Sequence, residues 1–360
     1  MEKEAFGFLT ELLGTASVSG FEQAAARVVR RRLEGQVDDM KTDVHGNTFF
    51  VLNPGGAPRV MLAAHIDQIG FLVNHIADDG YLYLTAVGGV DLAVVPGSRL
   101  TIQGAQGPVL GVIGRKAIHL MKAEERDGAK KFDLSELHVD IGAKNAKEAR
   151  KRVEVGDPVT FQLGLAELGS DLITAHGLDD RVGVWVMAEA LRLIAGDKAK
   201  RGKLKAAVYG VATVQEEIGL RGAFTAAFGV EPQAGIAIDV NHATDCPGVE
   251  QKAHGAVKMG GGPTLSYGAN INQALNKVLE RAAKTAKVPV QREAAPRGTG
   301  TDANAMQISR FGVATALISL PCRYMHTQVE VVSRGDLVNA AKLLAEGVVA
   351  LTGEMSFVPE

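Results

Sequence analysis

The chain of 360 residues is short of cysteine, of aromatic side chains and of net charge. Its two cysteines, Cys246 and Cys322, lie far apart and are too few for a disulfide framework or a thiolate zinc site. One Trp and five Tyr offer little surface on which a sugar could stack. Lys and Arg number 39 against 41 Asp and Glu, a formal charge of -2. That balance lacks the basic excess needed to bind a polyanion, so no nucleic-acid partner is expected. Long apolar runs are absent as well. The run near the C-terminal end, Phe311 to Cys322, falls short of the roughly 20 residues that span a bilayer, and no membrane partner is expected. The segment MEKEAFGFLTELLG mixes charges into its apolar residues, unlike a secretory leader. Together these features predict a soluble, cytoplasmic protein.

What is abundant is apolar residue, 46%, and glycine, 42 residues. This is the composition of a globular chain rich in tight turns, and the length suggests about two domains. Two amphipathic helices flanking a Ser-Gly turn occupy the first 35 residues, followed by the strands in VHGNTFFVLN and RVMLAAH (59–65). The nearly continuous apolar character of the second predicts a strand buried on both faces. From about 70 to 166 the pattern changes to short alternating runs (YLYLTAV, SRLTIQG, DPVTFQL) between Gly, Pro and Asp turn signals, with one helix-like interruption, NAKEARKRV. Helices then alternate with apolar strands: RVGVWVMAEALRLIAG, KAAVYGVATV, AGIAIDV, ANINQALNKVLERAAKTAK, VPVQREA, VATALISLP and RGDLVNAAKLLAEGVVALT. The expectation is an α/β domain built from 1–68 and 168–360, its mixed sheet sandwiched by helices, with a small β-barrel-like domain, 69–167, inserted into it.

Ligands of open α/β sheets gather at the carboxyl ends of the strands. RVMLAA ends in His65, with Asp67 two residues on. VYGVATVQ leads to Glu216 and Glu217, AGIAI to Asp239, and VATALISLP within a few residues to His326. Asp179 and Asp180 lie in HGLDDRVG just before a helix, where a carboxylate is favoured by capping and the helix dipole. Singly, each has a bland explanation: a structural histidine, a helix cap, a solvated turn. Their coincidence in one α/β domain predicts a metal centre. Imidazole and carboxylate without thiolate suit zinc, cobalt or manganese. Five ligands are enough for two divalent ions bridged by a carboxylate. With Asp179 as bridge, His65 and Asp239 hold one ion, Glu217 and His326 the other. Alternation along a strand separates Glu216 from Glu217, leaving Glu216 as general base. Asp67 is placed to accept the proton of the second ring nitrogen of His65 and so fix its tautomer. The remaining histidines have no such context, although His176 and His242 lie near enough in sequence to line the pocket.

At these residues the chain resembles the glutamyl aminopeptidase family, the tetrahedral (TET) aminopeptidases among di-metal exopeptidases. The matching segments are AAHIDQIGFLV (63–73), GLDDRVGVWV (177–186), VQEEIGLRGA (214–223), AIDV (237–240), GTGTDANAMQ (298–307) and RYMHTQVEVVSRGDL (323–337), in the family's order and over nearly the whole chain. The resemblance implies a phosphorylase/hydrolase-like catalytic domain and an inserted oligomerisation domain. It implies a bridging role for Asp179, ligand roles for His65, Glu217, Asp239 and His326, a base at Glu216 and a cis Asp179–Asp180 peptide. It also implies homo-oligomers, dodecamer or dimer, and places Asp302 near the pocket. Gln68 replaces the family's usual Glu, and Thr327-Gln328 its commoner Ser-Pro. The expected activity is removal of N-terminal residues from short peptides. Alternatives are a related di-metal deacylase or carboxypeptidase, an endoglucanase-type glycosidase, and a non-catalytic scaffold.

Overall fold

The computed structural model describes residues 1–122 and 133–359. Helices α1 (Lys3–Leu13) and α2 (Gln23–Leu33) precede strands β1 (Asp39–Thr42), β2 (Thr48–Leu52) and β3 (Arg59–His65). Strands β4 (Gly70–Ile76), β5 (Leu82–Val87), β6 (Arg99–Gly104), β7 (Gly107–Ile113), β8 (Val139–Asp140) and β9 (Pro158–Phe161) close a barrel in the order β4-β5-β8-β7-β6-β9. The helix-like interruption NAKEARKRV is a single turn, α3 (Ala146–Ala149), capped by the Asn145 side chain.

The chain then returns through β10 (Ala166–Leu168), β11 (Leu172–Ala175), α4 (Leu178–Gly196), α5 (Lys198–Lys203), β12 (Ala207–Thr213), α6 (Arg221–Val230), β13 (Ala234–His242) and α7 (Gln251–His254). It closes with β14 (Thr264–Gly268), α8 (Gln273–Ala286), β15 (Gln291–Ala295), α9 (Asp302–Gln307), β16 (Ala314–Arg323), β17 (Glu330–Ser333) and α10 (Arg334–Val349). The sheet runs β1-β2-β12-β3-β13-β16-β17-β11-β10, with β14 pairing both β16 and β15. Strands β12, β3, β13 and β16 are mutually parallel, and their neighbours on both sides are antiparallel. The architecture is the mixed α/β sheet with a small β-barrel expected from the sequence.

Alternation along the parallel strands explains both the apolar runs and the position of the polar ends. In β3, Val60, Leu62 and Ala64 join the large core under α1, α2, α4, α8 and α10, whereas Met61 and Ala63 join a second core against α6 and α9. In β13, Ile236, Ile238 and Val240 face the first core and Ala237 the second. A period of two therefore puts His65, Asp239 and Thr213 on the face of Met61, Ala237 and Val211, at the carboxyl ends of three adjacent strands. Close approach tightens the packing. A Cβ on Gly210 of β12 would lie 2.7 Å from Leu191 Cδ1 and Met187 Sδ of α4, and those two side-chain ends would have to shift. The barrel has its own core, in which Phe71 and Phe161 meet edge to face at 5.5 Å.

Candidate metal centre and active site

His65 ends β3 almost fully buried, and Asp239 lies beside it on β13. The residues after β12 depart from expectation. The strand stops at Thr213, and Gln215 and Leu220 adopt left-handed φ values of 56° and 58°. Glu216 and Glu217 therefore sit on a turn, and strand alternation does not separate them. Both carboxylates reach the cluster: Glu216 Oε2 lies 3.8 Å from His65 Nε2, and Glu217 Oε2 lies 3.4 Å from His326 Nε2.

Asp67 is the anchor of that turn. Its carboxylate accepts hydrogen bonds from the backbone N–H of Glu216 (3.0 Å) and Glu217 (3.2 Å) and from the Ser19 hydroxyl (2.6 Å). Against His65 Nδ1 it stands at 3.5 Å, farther than the main-chain oxygen of Asp67 at 3.2 Å.

Asp179 enters from the first turn of α4. Its Oδ1 is 3.1 Å from His65 Nε2 and its Oδ2 is 3.4 Å from His326 Nε2, so one carboxylate spans the two imidazoles. The Asp179–Asp180 peptide is cis. Asp180, fully buried, accepts the Gly183 N–H through Oδ1 and, among the described residues, has no donor at Oδ2. A Cβ on Gly183 would lie 2.3–2.6 Å from that carboxyl, which explains the glycine. Donor atoms of His65, Asp180 and Asp239 converge within 4.8 Å of one another, as do those of His65, Asp179 and Glu217.

Two further carboxylates support the cluster. Glu330 of β17 accepts the backbone N–H of Leu178 (2.7 Å), Asp179 (3.3 Å) and His326 (2.9 Å), tying together two segments distant in sequence. It sits in the alternating run VEVVS, where it reads as the polar face of a strand, and nothing in the sequence singles it out. Asp302, at the start of α9, accepts the Thr213 hydroxyl at 2.5 Å. His326 completes the cluster from the turn after β16, its Nδ1 2.9 Å from the carbonyl of Gly89, which belongs to the segment between β5 and β6 of the barrel.

So many acids buried together hold protons. Burial, reinforced by neighbouring carboxylates, pushes Glu216 up to about 10 and Asp239 to about 8, and raises Glu217 and Asp180. Burial and Asp179 push Glu330 to about 8. Burial opposes ionisation of Asp179 also, yet hydrogen bonds from His326 and His65 hold it well below the carboxylate range. Beside these groups opens a cavity of about 560 Å³ that extends over β13 to β14 and β15. His242 lines it. His176 does not: it packs edge-on against Phe161 at 5.0 Å, and burial together with Arg181 lowers it to about 4. The site thus offers two imidazoles, a spanning carboxylate and further acids in a cleft open to a ligand.

Comparison with known proteins defines the class. A model of the M42 glutamyl aminopeptidase family matches residues 46–343. The lysyl aminopeptidase of Pyrococcus furiosus is 38% identical over 98% of both chains. Among solved structures, the TET aminopeptidase of a marine-sediment thaumarchaeote superposes with a TM-score of 0.89 at 32% identity over 97% of both chains. The TET1 peptidase of Pyrococcus horikoshii, described as assembling into a tetrahedron or a large octahedral shell, superposes at 0.84 with 30% identity over 96% of this chain and 100% of its own. The chain belongs to the M42 glutamyl aminopeptidase family and is a peptide-bond hydrolase of the aminopeptidase class. Peptidases of this family are metalloenzymes. Among the described residues no helix is long and apolar enough to cross a membrane.

Proposed function

We propose that the protein removes N-terminal residues from short peptides with the help of two divalent ions, zinc or cobalt first and manganese as an alternative. The observation that carries this reading is Asp179, which turns one oxygen toward His65 and the other toward His326. The donor set fits the ions. Among the described residues Glu217 Oε1 and Asp180 Oδ2 are buried without a hydrogen-bond donor, and the raised carboxyl groups are what nearby cations would ionise. His65 and Asp239 would hold one ion, Glu217 and His326 the other, with Asp179 shared. When bound, such ions polarise the scissile carbonyl and make water more acidic.

The rest falls to the chain's own groups. Glu216 takes the proton of the attacking water and returns it to the leaving amine. Asp67 holds the Glu216–Glu217 turn through its two backbone N–H groups. Glu330 keeps Asp179 and His326 in register. We read 69–167 as an inserted unit that joins copies of the chain, and the assembly as a dodecamer. Light scattering on the purified protein checks the subunit number.

The test of the activity is hydrolysis of aminoacyl fluorophores and their N-blocked counterparts after chelation and re-addition of each metal. Restored cleavage of the free-amine substrates alone is expected. Preference for the N-blocked set would make the protein a deacylase, and cleavage indifferent to chelation would refute the metal reading.

A further inference from the structure

The cavity does not end at the cluster. Along β13, Asn241 follows Asp239 by two residues and so faces the same way. Its side-chain amide donates to the Thr264 hydroxyl of β14 at 3.1 Å and to Glu293 Oε2 of β15 at 2.9 Å. The second bond fixes the Glu293 carboxylate in the cavity wall. Among the described residues Glu293 makes no ion pair, and the buried Oδ1 of Asn241 has no donor. The cation that shares the cavity, Arg297, stands on the exposed loop at the rim and pairs with neither. Among the described residues this wall therefore has acceptors to spare and no cation paired with them.

We propose that Glu293, oriented by Asn241, determines specificity by receiving a cationic side chain, lysine or arginine, on the N-terminal residue of the substrate. The inference rests on the aminopeptidase reading. In such an enzyme only the first residue lies on the amine side of the reacting bond, so the cavity beside the cluster is the space its side chain enters. A lysyl ammonium brings three donors and an arginyl guanidinium five. Each matches a half-buried carboxylate better than an exposed one, because water screens the pair less there. A neutral side chain of equal length leaves the carboxylate unpaired, and an acidic one is repelled.

The experiment compares lysyl, arginyl, norleucyl and glutamyl fluorogenic amides on the metal-loaded protein and its Glu293→Gln and Glu293→Arg variants. Lysyl should exceed norleucyl in kcat/KM by about 10- to 100-fold, the range for a charged pair of this kind. In Glu293→Gln, which can still accept the Asn241 amide bond, that ratio should fall by about tenfold or more, chiefly through KM for the lysyl substrate. Glu293→Arg should move the preference toward glutamyl. An unchanged ratio in Glu293→Gln overturns the proposal. Equal loss on all four substrates overturns it too, since the carboxylate would then read the α-ammonium that every substrate shares. A wild-type preference for glutamyl would transfer the role to Arg297. Calorimetric titration of the chelated, metal-free protein with L-lysinamide and L-norleucinamide reads the same subsite without turnover. Selective lysinamide binding, lost in Glu293→Gln, with neither amide hydrolysed once metal is restored would sustain the subsite and refute the peptidase reading.

Discussion

The turn that carries Glu216 and Glu217 is held from outside by one neutral side chain, Asn47, and its removal gives a direct measure of that support. Asn47 is fully buried. Its Oδ1 accepts the Val214 N–H at 3.2 Å, immediately before the turn. Its Nδ2 donates to the Gly222 carbonyl in α6 (3.1 Å), to the Thr225 hydroxyl (3.0 Å) and to Asp43 Oδ2 (2.8 Å). The fit is tight: a Cβ on Gly222 would stand 2.4 Å from the Asn47 oxygen. Asn47→Ala strands one backbone group, the Val214 N–H, at about 1–3 kcal/mol when buried without a partner, whereas the Gly222 carbonyl keeps the Thr225 hydroxyl. The bond to the Asp43 carboxylate is lost as well, so the expected loss is about 2 kcal/mol. Urea unfolding followed through Trp185, the single tryptophan and a buried one, measures it. Loosening the turn should also lower kcat by about tenfold or more, since small misplacements of a catalytic group are expensive. Asn47→Asp separates hydrogen bonding from shape. It keeps an acceptor for Val214 but sets a second oxygen against the Gly222 carbonyl and the Asp43 carboxylate, so it too should destabilise. An Asn47→Asp protein as stable as wild type, or an Asn47→Ala loss under about 0.5 kcal/mol, would refute the reasoning.

Glu216→Gln should retain metal by elemental analysis while kcat falls by about 10²- to 10⁴-fold; undiminished turnover would reject Glu216 as the base. Asp179→Ala removes the carboxylate that spans both imidazoles, and both ions should be lost. Two metals per chain in that variant would contradict the bridge. His176 predicts a pH dependence of stability. Its imidazole titrates near 6.5 when unfolded and at about 4 when folded, so between those values the unfolded chain binds more protons and stability falls as pH drops. The shift corresponds to about 3 kcal/mol lost from pH 6.5 to pH 4 and nothing above pH 7. The stability difference between wild type and His176→Asn should shrink by that amount over the same window in urea titrations; a constant difference would show that His176 does not titrate this way.

Much of the fold was legible because burial leaves a periodic trace. The run RVMLAAH reads as a strand covered on both faces, and its even and odd residues do enter different cores. The change near residue 70 reads as a small β-rich unit because half-buried barrel strands alternate, as β6 and β7 do. Strand β14 and the short helix α9 leave weaker traces, since TLSYG and DANAMQ are too brief to establish a period. The site divides along similar lines. Residues that end apolar runs, His65 and Asp239, are found from the pattern alone. The strand alternation expected to separate Glu216 from Glu217 is absent, because Gln215 takes a left-handed φ that its residue type does not advertise. Glu330 and Asn47 escaped because their value lies in which backbone N–H and carbonyl groups they meet, and most of those groups come from segments 150 or more residues away. Hydrogen bonds to the backbone carry no residue-type signature, so this layer of the site becomes visible only in three dimensions.

The near-neutral formal charge of -2 conceals the central physical tension of the molecule. Asp179, Asp180, Glu216, Glu217, Asp239, Asp302 and Glu330 are clustered at the carboxyl ends of the parallel strands, nearly all of them buried, where isolated carboxylates are costly. The core around them cannot relieve that cost, because apolar packing supplies no donors. Two imidazoles and a set of backbone N–H groups relieve part of it, chiefly at Asp179. Asp302, raised only to about 6, ionises at neutral pH; the others stay protonated, or they ionise against cations. A centre of this kind ties ionisation of Glu216, the proposed base, to occupation of the cluster. Glu216 becomes able to accept a proton from water only when something else neutralises the charge around it. The same carboxylates that would hold the ions thus also make the base dependent on them, and catalytic competence and metal binding become one property of the fold.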